Sequence, residues 1–204
     1  MYQRLSRNSF LALCLAGAAL ALPSCAKPVE RSATGQYRTI TVDPQRNTDE
    51  AKRLNQVGLD CLAKDQLDPA ADAFTAALSA DAEFGPAHNN LGKVYYQRKD
   101  WYKAAWEFEY ALKFLPRHAE PRNNLGLVLE QTGQLDQAVE HYRQAVALSS
   151  DLQYRANLAR VLVRRGERTD ETRDLLQQVA DQDPRPPWRD WARKALASLG
   201  KPAP

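Results

Sequence analysis

The chain has 204 residues, of which 44% are hydrophobic, and it carries a formal net charge of +3 at neutral pH. So small a charge argues against a nucleic acid as the partner, because nucleic-acid-binding domains concentrate a strong positive potential on one face. The length fits a globular module of about 150 residues together with a separate N-terminal segment. The fold class has to be inferred from the order of the residues.

Residues 1–24 predict an export signal, because positive charge precedes an apolar stretch at Phe10–Leu22 and small residues follow it. The stretch is too short to span a membrane by itself. The sequence Leu22-Pro23-Ser24-Cys25 resembles the bacterial lipobox. This resemblance implies that Cys25 receives a diacylglycerol and becomes the new N-terminus. The alternative is cleavage after Ala21, which would leave a soluble exported protein with Cys25 free.

Residues 25–48 predict a lipidated cysteine followed by a flexible tether. They are rich in Pro, Ser, Thr, Gln and Arg and show no helical periodicity. By the lipoprotein resemblance, Ala26 is not the Asp that signals retention at the inner membrane. The expected location is therefore the periplasmic face of the outer membrane, with a soluble periplasmic or secreted protein as the less favoured alternative.

Four segments of the chain repeat with a spacing of 34 residues, namely 51–84, 85–118, 119–152 and 153–186. Each contains apolar residues at three- and four-residue spacing in two stretches of helical length, separated by turn signals. A period of this length indicates a stacked helical array, here assigned to residues 49–186. The columns that carry the repeat are Val57, Leu91, Leu125 and Ala159; Gly58, Gly92 and Gly126; and Phe74, Phe108, Tyr142 and Leu176.

The second unit resembles a tetratricopeptide repeat through the sequences HNNLGKVYY and WYKAAWEFEYALKFLP. Its matching residues are Leu91, Gly92, Tyr95, Ala104, Phe108, Ala111 and Pro116. The resemblance implies an all-α fold, a right-handed tetratricopeptide superhelix of about four helix-turn-helix repeats. The fourth unit is a degenerate repeat, because Arg160 stands in the glycine column and Thr172 in a column of small alanines.

Residues 187–204 predict a capping helix and a short tail. Pro186 and Pro187 would start the helix, and its apolar side keeps one face for about three turns. A helical array needs an end that is apolar inward and polar outward, and this segment has that pattern. Its apolar side consists of Trp188, Trp191, Ala192, Ala195, Leu196 and Leu199.

The sequence offers no candidate for catalysis, for a cofactor or for a metal site. It has no nucleophile paired with a base, no phosphate-binding glycine loop and no cluster with metal-ligand spacing. His88, His118 and His141 are predicted to face solvent or to line a groove. Cys61 occupies an apolar column, which predicts a buried side chain. We therefore expect a protein that is not an enzyme.

A column of asparagines marks the first helix of each unit, which in tetratricopeptide proteins lines the concave groove. Side-chain amides can pair with both the donor and the acceptor of a peptide backbone, so the column predicts a peptide-binding groove. An equally weighted alternative is that the amides tie neighbouring helices together. The predicted groove residues are Asn55, Leu59, Asn89, Asn90, Lys93, Tyr96, Asn123, Asn124, Leu127, Asn157 and Arg164.

Tyr102, Trp106 and Tyr110 form an aromatic strip with four-residue spacing on the second helix of unit two. The same columns hold polar or small residues in the other units, such as Asp68 and Asp72 in unit one. Three large aromatic residues of about 150–250 Å² each can expose more apolar area than a soluble monomer usually tolerates. The aromatic strip therefore predicts a partner surface, covered by another protein, a second copy of the chain or its own tether.

The last quarter of the chain is rich in arginine, and Arg160 and Arg164 lie on one side of a helix. They could meet an acidic lipid or polymer. The nearby Glu167 and Asp170 favour a solvated, ion-paired surface instead.

These features predict a lipid-anchored periplasmic scaffold that binds protein or peptide segments of the cell envelope. The architecture resembles the repeat lipoproteins that help to assemble pili and secretion channels. Two alternatives stay open. One is an adaptor that gathers peptidoglycan-processing enzymes, and the other is a structural lipoprotein that self-associates as a homo-oligomer.

Overall fold

A computed structural model describes residues 46–200, which form nine α-helices and no strand. The predicted all-α fold class is therefore confirmed. The helices are α1 (Thr48–Leu62), α2 (Leu67–Ala80), α3 (Gly85–Gln97), α4 (Trp101–Phe114), α5 (Ala119–Gln131), α6 (Leu135–Leu148), α7 (Leu152–Arg164), α8 (Asp170–Gln182) and α9 (Pro186–Leu199).

The helices pack as consecutive pairs, each joined by a short turn. In each unit the first helix packs against the second, α1 on α2, α3 on α4, α5 on α6 and α7 on α8. The first helices also contact one another from unit to unit, α1 with α3, α3 with α5 and α5 with α7. Because the first helices lie this close together, they line the concave side of the stack. The predicted helix-turn-helix superhelix is confirmed.

In the first three units, a glycine of the first helix packs against an aromatic ring of the second. A Cβ atom added to Gly92 would lie 2.6 Å from Cε1 of Phe108, and one added to Gly126 would lie 2.7 Å from Cε1 of Tyr142. Both rings are buried. The glycine column therefore marks the point where the backbone of one helix meets the side chain of the next, which only a residue without a Cβ allows.

The fourth unit has a different interior. Arg160 takes the glycine column, and the buried Leu176 takes the column of the rings. Thr172 is fully buried in the small-alanine column, and its hydroxyl group lies 3.0 Å from that of Thr169. The Thr169 hydroxyl also accepts from the Thr172 backbone N–H and so caps α8. The polar residues that unit four introduces into the repeat columns thus find partners inside the protein.

Helix α9 closes the array and continues its register. It begins at Pro186, and its residues Ala192 and Ala195 are buried. Because Trp191 lies 34 residues after Asn157, it falls in the asparagine column of the units before it. The predicted capping helix is confirmed, and it occupies the position of the first helix of a fifth unit.

Some predictions fall on residues that the structure does not describe. The export signal at 1–24, Cys25, the tether up to residue 45 and the tail at 201–204 all lie outside the described residues. The last residues of the predicted tether, however, belong to the array. Asn47 caps α1 by accepting from the Glu50 N–H at 3.1 Å, and Thr48 begins the helix. Between residues 46 and 200, no helix combines the length and the apolar character that a membrane crossing requires.

Candidate partner-binding surfaces

The asparagines of the predicted groove are buried and bond to one another across units. The Nδ2 group of Asn90 donates to Oδ1 of Asn55 at 2.9 Å, and that of Asn124 donates to Oδ1 of Asn89 at 3.0 Å. The ladder continues with a 2.7 Å bond from Asn157 to Asn123. This geometry agrees with the alternative in which the amides tie neighbouring helices together, because each bond joins the first helices of neighbouring units.

The accessible part of the concave groove lies beside this ladder. Its residues are half-buried or exposed: Leu59, Lys93, Tyr96, Leu127 and Arg164. Lys93 forms an ion pair with Glu120 of the next unit, with an N···O distance of 3.0 Å. The lining is therefore partly apolar and partly charged, and its role in binding a peptide stays a prediction.

Glu130, on α5, is a buried acid with an exposed side-chain fraction of 2%. Its carboxylate accepts bonds from Arg160 at 2.7 and 3.0 Å, from Arg164 at 2.8 Å and from the Tyr142 hydroxyl at 2.9 Å. Burial acts to raise the pKa of Glu130, but these donors outweigh it and hold the pKa below its ordinary value. Glu130 is therefore ionised at neutral pH and joins units three and four.

Arg160 and Arg164 are ion-paired, as expected, but their partner is the buried Glu130 and not one of the acidic residues that follow them. The two arginines lie one helical turn apart on α7, so both guanidinium groups reach the same carboxylate of Glu130. Glu167 instead pairs with Arg165, with an N···O distance of 2.9 Å. Sequence spacing alone could not indicate that Arg160 pairs with Glu130, because Glu130 precedes Arg160 by 30 residues.

The C-terminal end of the array carries a group of stacked cationic and aromatic side chains. The Trp188 ring lies 5.2 Å from the Arg160 guanidinium and 5.0 Å from that of Arg185, distances typical of cation–π contacts. Arg160, Trp188 and Trp191 line an open recess of about 250 Å³. Because Arg160 also bonds to Glu130, these contacts fix the joint between unit four and α9.

The aromatic strip lies along α4. Tyr102 is 78% exposed and Trp106 is 50% exposed, while Tyr110 is half-buried. The ring centroids of Tyr102 and Trp106 are 6.5 Å apart, those of Trp106 and Tyr110 are 5.5 Å apart, and Phe114 extends the series at 6.4 Å. These spacings are those of contacting aromatic pairs, so the strip is one continuous surface.

His88 is a residue whose role the sequence did not indicate, and its prediction as a solvent-facing or groove-lining histidine is wrong. It is buried, and its ring stacks on Tyr110 at 5.2 Å and on Phe114 at 5.8 Å. Its Nδ1 atom lies 2.7 Å from the Glu107 carboxylate, and Nε2 lies 3.0 Å from the Ala82 carbonyl oxygen. His88 thus supports the strip from its buried side. The same column holds unrelated residues in the other units, so no repeating pattern could have indicated this.

Residues 46–200 contain no group of three His, Cys, Asp or Glu side chains that could hold a metal ion. Cys61 is half-buried, rather than fully buried as its column predicts, and it is a free thiol. It packs against the apolar core of the first unit.

Comparison with known proteins agrees with this architecture. Two family models described as tetratricopeptide repeat match the chain, one over residues 58–119 and the other over residues 119–152. The curated protein E3 ubiquitin-protein ligase CHIP from Arabidopsis thaliana is 26% identical over 98 residues. That match covers 48% of this chain and 35% of CHIP, so the chain spans about a third of the length of this relative.

Three solved structures have a similar fold. YrrB, described as a TPR protein with an unusual peptide-binding site, superimposes with a TM-score of 0.64 and 23% identity, over 75% of this chain and 77% of its own. The first TPR of Spaghetti (RPAP3), bound to the HSP90 peptide SRMEEVD, has a TM-score of 0.59 and 16% identity. The match covers 61% of this chain and 99% of that structure. The Sgt2 TPR domain from Aspergillus fumigatus has a TM-score of 0.57 and 21% identity. The match covers 61% of this chain and 84% of that domain. At these identities the likeness shows the fold alone.

Proposed function

We propose that this chain, whose residues 58–152 are tetratricopeptide repeats, is a scaffold that binds segments of other proteins through the aromatic strip and the concave groove. Repeats of this kind mediate protein–protein and protein–peptide interactions. The observation that carries the proposal is the exposure of the aromatic strip on a folded, otherwise polar outer helix face. Aromatic side chains in this setting are the usual anchors of protein interfaces.

The other units show that the strip is not needed for folding. The columns of Tyr102 and Trp106 hold Asp68 and Asp72 in unit one, and both of these acids are exposed. A helix in this position therefore folds without aromatic residues on its outer face. The aromatic rings of unit two expose apolar area that a partner can bury, and such patches mark interaction sites in soluble proteins.

The concave groove is the second surface of the proposal. Peptide binding by proteins of this fold is supported by two structural neighbours, one bound to an HSP90 peptide and one described as having an unusual peptide-binding site. In this chain the accessible groove residues include Lys93, Tyr96 and Leu127. Together they suit an extended segment with apolar side chains and an acidic group.

We place this scaffold at the periplasmic face of the outer membrane, held by a lipid on Cys25. The lipobox-like sequence Leu22-Pro23-Ser24-Cys25 supports this placement, and Cys25→Ser tests it. The variant should lose incorporation of labelled palmitate and leave the membrane fraction. Labelling that persists in the variant would contradict the anchor.

Within the envelope, we propose assembly of a pilus or a secretion machine as the role of the scaffold. An adaptor for peptidoglycan-processing enzymes is the alternative, and it predicts hydrolases among the bound proteins. A self-associating lipoprotein is the other alternative, and it predicts a mass by light scattering that increases with protein concentration.

The experiment is cross-linking in cells followed by mass spectrometry. The intact chain is compared with a variant that carries the unit-one residues, Tyr102→Asp, Trp106→Asp and Tyr110→Ala. Leu148→Asp is the control, because Leu148 is an exposed apolar residue on α6 outside the strip. We expect a specific envelope protein to be lost from the strip variant and kept by the control. Equal recovery of the same proteins from all three would contradict a role for the strip.

A further inference from the structure

A recess lies on one side of the aromatic strip, between α4 and the next unit. Its volume is about 280 Å³, which is smaller than pockets for drug-sized ligands and suits a single long side chain. Leu125 and Leu129 contribute apolar surface to the lining. The remaining residues that matter for its chemistry are Tyr102, Trp106, Glu109, Gln134, Gln137 and His141.

The aromatic side chains around the strip already attract cations of the chain itself. The Lys103 ammonium lies 5.3 Å from the centroid of Tyr95, and the Lys113 ammonium lies 5.8 Å from Tyr110 and 5.2 Å from Phe114. Within residues 46–200, no lysine or arginine lies over the rings of Tyr102 or Trp106. The two most exposed rings of the strip therefore keep faces that a cation from outside can cover.

The recess also contains a carboxylate without a cationic partner. Among the described residues no lysine, arginine or histidine lies within ion-pair distance of Glu109, whereas Glu107 on the same helix pairs with His88. Burial and the nearby Arg122 lower the pKa of His141, so its ring is uncharged at neutral pH. Glu109, Glu140 and Arg122 all act on this pKa, so two carboxylates and one guanidinium group lie near the His141 ring.

The combination of an aromatic wall and an acid is confined to unit two. The column of Glu109 holds Thr75 in unit one and Arg143 in unit three, and that of Trp106 holds Asp72 and Glu140. No other repeat position therefore places an unpaired acid beside exposed rings within the described array.

We propose that this recess binds the guanidinium group of an arginine carried by a segment of a partner protein. This deepens the proposed scaffold function and rests on it, since it names the chemistry that the partner presents to the strip. The flat guanidinium group stacks on the Trp106 ring and pairs with the Glu109 carboxylate. Its remaining N–H groups donate to the side-chain amide oxygens of Gln134 and Gln137.

The test is a titration of the full chain with N-acetylarginine amide, followed through the indole N–H signal of Trp106 by NMR. Trp106→Phe identifies that signal. N-acetylcitrulline amide is the matched ligand, because it has nearly the same shape and no charge. Glu109→Gln is the test variant, and Glu120→Gln is the control, because Glu120 lies outside the recess and pairs with Lys93.

We expect the arginine compound to shift the Trp106 signal saturably, with a dissociation constant of about 1–10 mM for so small a ligand. The citrulline compound and the Glu109→Gln variant should each bind about tenfold more weakly or worse, and Glu120→Gln should bind like the native chain. Equal binding of the two compounds, an unchanged affinity in Glu109→Gln, or no Trp106 shift at about 100 mM ligand would overturn the proposal.

The same variant separates this proposal from the scaffold function. If Glu109→Gln keeps the cross-linked partner in cells while the strip variant loses it, the strip binds a partner without an arginine in the recess. If the strip variant also keeps every partner, the scaffold function of the strip fails as well. Trp106 shifts that depend on protein concentration in the absence of ligand would instead indicate a second copy of this chain, and would contradict a heterologous partner.

Discussion

Units two and four both depart from the repeat, but on opposite sides of their helices. Unit two keeps the glycine–aromatic contact of Gly92 and Phe108 and changes its outer face to aromatic residues. Unit four keeps a polar outer face and changes its interior, where Arg160 and Leu176 replace the glycine and the ring. The first change leaves the packing of the array intact, whereas the second rebuilds it.

This difference separates structural from functional departures. In unit four, the charged Arg160 bonds to Glu130 and stacks on Trp188, so contacts inside the fold offset the free-energy cost of burying its charge. In unit two, Tyr102 and Trp106 remain exposed, and nothing in the described array covers them. A departure that the fold satisfies is explained by packing. A departure that the fold leaves exposed indicates a surface for another molecule.

The largest expected effect comes from breaking the interior of unit two. In Gly92→Val the new Cβ atom would lie 2.6 Å from Cε1 of Phe108, so the buried Phe108 ring or the helices themselves must shift. We expect a loss of about 3 kcal/mol in the free energy of unfolding, measured by denaturant titration. Ala147→Val, at an exposed helical position, is the control and should lose about 0.5 kcal/mol. Equal losses would mean that the glycine column does not mark a close contact.

The next effect concerns the interior of unit four. Arg160→Met removes two bonds to the Glu130 carboxylate and leaves it with Arg164 and Tyr142. Because Glu130 is buried, we expect a loss of about 2 kcal/mol in the free energy of unfolding. Arg173→Met is the control, since Arg173 is exposed and forms only an ion pair with Asp170 within its own helix. A loss no larger than that of the control would show that the cluster does not join units three and four.

The Glu130 cluster also predicts a pH dependence. The pKa of Glu130 is lowered in the folded chain, so its contribution to stability is fully present above the ordinary value of about 4.3. It is lost as the pH falls through the folded-state pKa. Glu130→Gln should therefore be less stable than the native chain at pH 7, and the difference should shrink in acid. A difference that stays constant down to about pH 3 would contradict the lowered pKa.

The smallest effect on stability is expected on the outer face of unit two. Tyr102→Asp together with Trp106→Asp changes exposed side chains to those that unit one carries in the same columns. The free energy of unfolding should change by about 0.5 kcal/mol or less, as is usual for surface positions. A loss of several kcal/mol, measured in the same denaturant titration, would mean that the strip is part of the core.

The sequence predicts the array well because its period is a property of the packing. Columns such as Gly92 and Phe108 recur every 34 residues since the same two helix faces meet in each unit. The bonds of His88 to Glu107 and of Arg160 to Glu130 could not be predicted in this way. Each occurs once in the chain and depends on how far a long side chain reaches across helices, which a repeating column does not encode.

The asparagine column shows the same limit within the repeat. Its periodicity is visible in the sequence, but amides that bind a peptide and amides that tie helices together have the same spacing. The 2.7 Å bond between Asn157 and Asn123 shows that the amides join neighbouring units, which their spacing in the sequence does not reveal. The strip, in contrast, could be predicted because its aromatic residues replace the polar or small residues of the other units. Such a departure from the repeat can be recognised in a single sequence.

We expect the outer face of unit two to bind a partner that the same face of unit one does not bind. The most direct test places a photo-crosslinking amino acid at position 106 in one strain and at position 72 in another. Both positions occupy the same repeat column and are exposed. If the strip is a binding surface, position 106 should give a discrete cross-linked product with another protein and position 72 should give none. The same products from both positions, or none from position 106, would contradict it.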